Sequence, residues 1–182
     1  DTENDNIAIG FNAMTTNTAG GLQNIAIGNY ALDGLTSGDS NVAIGYSAMS
    51  ATVTGGQNTA VGNSAMEVLT TGATNTAVGY VSLDALTTGS NNTAVGWSSL
   101  GATTTANDNT AVGKNSMLIN TEGYSNTAIG IYSLRQNTTG NNNVAVGQSA
   151  LLNNTTASEN VAVGYNSMYL NTTGVRNLAI GA

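Results

Sequence analysis

The chain has 182 residues and a formal net charge of −7, with Lys114, Arg135 and Arg176 as its only cationic residues. Because nucleic-acid binding needs a basic surface, this charge excludes it, and it argues against binding to anionic membranes. The sequence contains no His and no Cys, which excludes Ser-His-Asp and Cys-His catalysis, disulfides and cysteine metal sites.

No apolar run approaches the roughly 20 residues that a membrane-spanning helix needs. No secretory signal pattern begins at Asp1, so we expect any targeting segment to have been removed or to belong to a longer precursor. Charged residues make up only 7% of the chain, against about 25% in ordinary domains, and aromatic residues 5%. A core of small and branched aliphatic side chains is therefore expected.

A five-residue motif, Asn-x-Ala-[Ile/Val]-Gly, occurs eleven times and divides residues 1–182 into the repeats of a single domain. The first interval is 18 residues and the other nine are 17. We number positions within a repeat from its asparagine. The repeats begin at Asn6, Asn24, Asn41, Asn58, Asn75, Asn92, Asn109, Asn126, Asn143, Asn160 and Asn177.

The positions that vary least predict an all-β fold, a parallel β-solenoid with one repeat per coil. Position 3 is always Ala, position 4 Ile or Val, position 5 Gly, position 8 Ala or Ser, and position 9 Leu or Met. Small-large pairs at positions 3–4, 8–9 and 13–14 suggest three short faces, with glycine corners at positions 5 and 15. Stacked coils would place equal positions in ladders about 4.8 Å apart, including an asparagine amide ladder at position 1. The extra residue near Gly20 and Gly21 should form a bulged corner that preserves the register.

Side-chain alternation along a strand predicts which positions face inward. We expect positions 4 and 9 to form the structural core, listed here for the first six repeats: Ile9, Ile27, Ile44, Val61, Val78, Val95, Met14, Leu32, Met49, Met66, Leu83 and Leu100. Position 3 would then point outward, and an unvarying alanine there suggests a subunit interface. The alternative is that this alanine points inward at a narrow part of the coil. The alanines concerned are Ala8, Ala26, Ala43, Ala60, Ala77 and Ala94.

The repeat resembles those of bacteriophage tail-fibre proteins and of bacterial surface proteins, most clearly between Asn126 and Gly174, where Asn-Thr-Thr-Gly recurs. Its pentad is also similar to the Ser-Val-Ala-Ile-Gly units of trimeric autotransporter adhesin heads. These families are homotrimers of parallel fibrous elements, and the adhesin coils are left-handed. The eleven repeats predict ten to eleven coils. The resemblance implies that the solenoid is homotrimeric and left-handed and that it has an extracellular location, on a virion tail or a cell surface.

Few residues suggest catalysis, metal binding or ligand contact. Glu67 and Asp84 share position 10 on adjacent coils, a spacing that could serve glycoside hydrolysis or weak Ca²⁺ or Mg²⁺ contact, although two solvated charges are the simpler interpretation. Tyr46, Tyr80 and Trp97, at position 6, should project outward and contact a glycan or a partner chain. Thr-Thr columns at positions 13 and 14 raise ice binding, but adjacent residues of a strand point in opposite directions.

The sequence thus predicts a non-enzymatic structural or adhesive segment of a trimeric extracellular fibre, without a cofactor, a catalytic or metal site, nucleic-acid binding or membrane insertion. Its expected partners are copies of itself and a cell-surface glycan or receptor. The first alternative is a self-stacking extracellular filament subunit. A polysaccharide-cleaving tail protein or an ice-binding solenoid is less favoured by these residues.

Overall fold

The computed structural model describes residues 5–16 and 20–182, which form a parallel β-solenoid of about ten coils. Each repeat contributes one three-residue strand from positions 2–4. The strands are β1 Ile7–Ile9, β2 Ile25–Ile27, β3 Val42–Ile44, β4 Thr59–Val61, β5 Thr76–Val78, β6 Thr93–Val95, β7 Thr110–Val112, β8 Thr127–Ile129, β9 Val144–Val146, β10 Val161–Val163 and β11 Leu178–Ile180. The two described ranges contain no helix.

The eleven strands form one sheet in chain order, with every neighbouring pair parallel and equal positions opposite each other. β-branched side chains at positions 2 and 4 favour the extended backbone. The register also holds across the longer first interval, where Ala8 pairs with Ala26. Residues 17–19, next to the bulged corner predicted at Gly20 and Gly21, lie outside the described residues.

Glycine at position 5 ends each strand for a steric reason. Gly62 has φ 143°, and a Cβ built on it would lie 2.3 Å from the carbonyl oxygen of Gly79 on the next coil. Any side chain would clash with the coil above and would resist this φ value. From the second coil onward the position-15 glycines do not share the positive φ, which corrects the sequence interpretation for these coils, whereas Gly20 in the first coil has φ 85°. Ala106 and Ala157 occupy position 15 in two coils.

Only one of the three predicted faces is a sheet of regular strands. Between positions 5 and 11 the chain turns, and positions 7 and 9 adopt left-handed φ values, such as 46° at Val81 and 50° at Leu83. This bend turns positions 8 and 9 inward together, so that Ser82 and Leu83 are both fully buried. The alternation assumed for an extended strand therefore does not apply there.

The alanine column lies inside the solenoid, and the prediction that it faces outward as a subunit interface is wrong. In the sheet interior Ala26, Ala43, Ala60, Ala77 and Ala94 are completely buried, whereas Ala8 in β1 is exposed. The coil is too narrow for a larger side chain here, because the side chains of positions 9 and 12 fill the space opposite the sheet. The inward alternative of the sequence analysis is the correct one.

The reverse correction applies to position 4, which does not belong to the core. Ile44, Val78 and Val95 are 37%, 37% and 36% exposed, Ile9 is 59% exposed, and Ile27 and Val61 are half-buried. Since positions 2 and 4 point opposite to position 3, burial of the alanine places both on the outside. At position 9, Leu32, Met49, Met66, Leu83 and Leu100 are fully buried, and Met14 in the first coil is partly buried.

Candidate functional site

An amide ladder runs through the solenoid at position 1, as predicted. Asn92 receives two hydrogen bonds on its Oδ1 from Asn109, through the backbone N–H at 3.1 Å and the side-chain Nδ2 at 3.3 Å. Its own Nδ2 donates to Asn75 Oδ1 at 3.1 Å and to the carbonyl oxygen of Ala106 at 2.8 Å. Asn92 therefore joins neighbouring coils and also closes its own coil, and Asn75 and Asn109 make the same bonds.

A second amide ladder at position 12 was not predicted. It joins Asn120, Asn137, Asn154 and Asn171, with Nδ2–Oδ1 distances of 2.8, 2.9 and 3.1 Å. In four earlier coils the same place in the core is apolar, held by Leu35, Val53, Leu69 and Leu86. In the coil directly before the ladder it is held by buried Thr103, whose hydroxyl donates to the Asn120 carbonyl oxygen at 2.9 Å. The recurrence of Asn-Thr-Thr-Gly was the signal, and burial of Asn137 in this ladder explains the motif.

The exposed side of the sheet is an uncharged surface made by positions 2 and 4, which we call the outer sheet face. Position 2 holds Thr at five consecutive strands, from Thr59 to Thr127, with Ile, Val or Leu elsewhere. Position 4 holds only Ile or Val, including Ile129, which is 42% exposed. A continuous exposed surface with this apolar column is typical of an interaction site.

The position-6 aromatic residues project from the coil, as the sequence predicts. Tyr46, Tyr80 and Trp97 are 53%, 57% and 48% exposed. The Lys114 Nζ lies 4.1 Å from the centre of the Trp97 ring, a cation–π contact. These side chains present aromatic surface to solvent and could contact either a sugar ring or a partner chain.

A groove of about 460 Å³ lies on the turn side of the later coils, and we call it the Arg135 groove. One wall is the position-7 column and the other is the position-10 column. The walls are formed by Asn115, Tyr132 and Ser149 and by Arg135, Leu152 and Tyr169. Its volume is within the range of small-molecule pockets. The repeat pattern does not indicate this groove, because the bend that brings positions 7 and 10 together does not follow from periodicity.

Of the three position-10 carboxylates, Asp33, Glu67 and Asp84, the last two interact electrostatically. Burial raises the pKa of the Asp84 carboxyl, backbone hydrogen bonds lower it, and the negative charge of Glu67 raises it further. Within residues 5–16 and 20–182, no group of three or more His, Cys, Asp or Glu residues could hold a metal ion. The pair has the electrostatic coupling expected of neighbouring carboxylates, and hydrolysis by it stays a prediction.

The threonine columns differ in what their hydroxyl groups do. At position 13, Thr70 Oγ1 donates to the Thr87 carbonyl oxygen at 3.0 Å, and Thr87 repeats this bond to Thr104 at 3.0 Å. These hydroxyls therefore serve the stacking of the coils. Thr88 and Thr105, at position 14, are exposed.

Comparison with known proteins finds no match to a family model, to a curated protein or to a solved structure. None of the described segments forms a helix with the length and apolarity needed to cross a membrane.

Proposed function

We propose that this chain is a non-enzymatic structural and adhesive segment of a homotrimeric extracellular fibre, of a phage tail or a bacterial surface. The observation that carries the proposal is the outer sheet face, whose apolar column at position 4 is exposed or half-buried in the single chain. The repeat's resemblance to trimeric fibre proteins supports the number of chains, the left-handed coil and the extracellular location.

Variation from repeat to repeat supports an interface on this face. Position 6 is exposed and holds eight residue types: Phe, Asn, Tyr, Trp, Lys, Ile, Gln and Ala. Position 4 also faces outward, exposed in some strands and half-buried in others, yet it holds only Ile and Val. An outward side chain without a packing partner would be free to vary as position 6 does. We infer that the position-4 side chains pack against a partner surface that repeats with the same spacing.

A parallel copy of the same chain fits this requirement. Equal positions repeat along the sheet with one strand spacing, so a second and a third chain in the same orientation would meet position 4 with position 4 along the whole length. No charged residue interrupts positions 2 or 4 in the sheet. The rod would be about 48 Å long for ten coil intervals, stiffened by its inter-coil hydrogen bonds.

Analytical ultracentrifugation of paired variants tests the proposal. Val78→Lys with Val95→Lys places two charges on the outer sheet face and should shift the trimer to monomer. Thr88→Lys with Thr105→Lys places two charges at exposed position 14 of the same two coils and should leave the trimer intact.

Circular dichroism provides the folding control, since the outward lysines should leave the strand signal unchanged. A wild-type protein that sediments as a monomer at all concentrations tested would refute the trimer. Equal effects of the two double variants would refute the outer sheet face as the interface.

A further inference from the structure

Arg135 is a cation without an acidic partner in a strongly acidic chain. In the described part of the chain the one ion pair joins Arg176 to Glu159, at 2.6 Å. Arg135 Nε is buried and has no hydrogen-bond partner, and no carboxylate lines the Arg135 groove. A guanidinium group can donate two parallel hydrogen bonds to a carboxylate, so this residue can bind an anion from solution.

The side chain is also positioned by an aromatic ring. The guanidinium carbon of Arg135 lies 5.5 Å from the centre of the Tyr132 ring, and the Arg135 N–H donates to the Tyr132 carbonyl oxygen at 3.3 Å. Contact with the ring restricts the rotamers of a long side chain, which lowers the entropy cost of binding a ligand. The charge therefore sits at a fixed place on the groove wall.

The rest of the groove suits a sugar ring better than a bare anion. Tyr169, 39% exposed, and Leu152 offer apolar surface for the C–H face of a pyranose. Gln148 and Asn115 add amide groups that can donate to or accept from hydroxyls. We propose that the Arg135 groove binds a carboxylated sugar, a uronic or sialic acid unit of an acidic glycan, with the carboxylate on Arg135.

This inference supplies a ligand class for the adhesive part of the proposed function, but it does not depend on assembly. All the groove residues belong to one chain, at positions 6, 7 and 10, whereas the outer sheet face consists of positions 2 and 4. A failure of trimer formation would therefore leave sugar binding intact, and a failure of sugar binding would leave the trimer intact.

Isothermal titration calorimetry with three probes tests the proposal. A hyaluronan tetrasaccharide carries glucuronate, 3′-sialyllactose carries sialic acid, and lactose is neutral. We expect at least one acidic probe to bind about tenfold or more tightly than lactose, because hydrogen bonds to charged groups are stronger than those between neutral groups. The preferred acidic probe distinguishes the two glycan sources.

Variants then locate the site. Arg135→Gln should weaken binding of the acidic probe about tenfold or more, with Arg135→Lys in between because it loses the paired donors. Tyr169→Ala should weaken it several-fold. Arg176→Gln removes the same charge from an exposed arginine away from the groove and should leave affinity unchanged.

Three results would overturn the inference. One is the absence of binding for both acidic probes at millimolar concentration. Another is an equal loss of affinity in Arg135→Gln and Arg176→Gln, which would indicate general charge attraction. The last is equal affinity for lactose and the acidic probes. Sedimentation and circular dichroism of each variant separate these results from misfolding or altered assembly.

Discussion

Removing one rung of the position-1 ladder tests how the solenoid is held together. In Asn92→Ala, the buried N–H of Asn109 loses its acceptor and the buried carbonyl oxygen of Ala106 loses the Asn92 donor. A buried polar group left without a partner costs about 1–3 kcal/mol. The two together predict a fall in the free energy of unfolding of about 2–6 kcal/mol.

Two measurements check this value. Urea denaturation at one fixed protein concentration gives the change in free energy, since assembly would make the midpoint depend on concentration. Hydrogen exchange resolves the site, because the Asn109 amide should lose protection before amides in distant coils. The slope of the free energy of unfolding against urea concentration also shows whether the repeats still unfold together, because an unchanged slope means that the same surface is exposed in one transition.

The matched control is Asn63→Ala, which removes the same side chain from exposed position 6. It should change the free energy of unfolding by no more than about 0.5 kcal/mol. If Asn92→Ala costs as little as Asn63→Ala and the Asn109 amide stays protected, the ladder does not stabilise the fold and the reasoning fails.

Two further predictions concern the interior and the carboxylates. Ala77→Val overfills the narrow interior and should lower the free energy of unfolding by about 1–3 kcal/mol. Thr76→Val, which points outward from the same strand, should change the urea midpoint little. A larger loss of stability in Thr76→Val than in Ala77→Val would contradict the inward position of the alanine. Burial raises the pKa of the Asp84 carboxyl in the folded state above its ordinary 3.8, so protonation of this carboxyl stabilises the fold. That stabilisation is fully present below pH 3.8 and is lost as the pH rises through the folded pKa. In urea denaturation measured between pH 3.8 and the folded pKa, Asp84→Asn should remove this fall in the free energy of unfolding. Asp108→Asn, at an exposed carboxylate, should leave the fall in place. Equal pH dependence in the wild type and Asp84→Asn would contradict the stabilising role of the protonated Asp84.

Periodicity was sufficient to predict the solenoid, its register and the ladder at position 1. It could not say which side of the strand faces inward, because alternation fixes only that position 3 opposes positions 2 and 4. The deciding signal was polarity at position 2, where Thr59 to Thr127 would have placed five hydroxyls inside the coil. Alanine at position 3 fits the interior because it adds neither volume nor a polar group.

The Arg135 groove depends on backbone geometry that residue propensities disfavour. Leu134 and Tyr132 both adopt left-handed φ values, 47° and 61°, which such side chains avoid in isolation. The stacked coil compensates locally, since the Leu134 N–H donates to the Ala150 carbonyl oxygen at 3.0 Å and its side chain is fully buried. The strained turn thus follows from stacking rather than from the local sequence. The position-10 residues it exposes vary from coil to coil, which lets one solenoid carry a cationic groove at Arg135 and a carboxylate pair at Glu67 and Asp84.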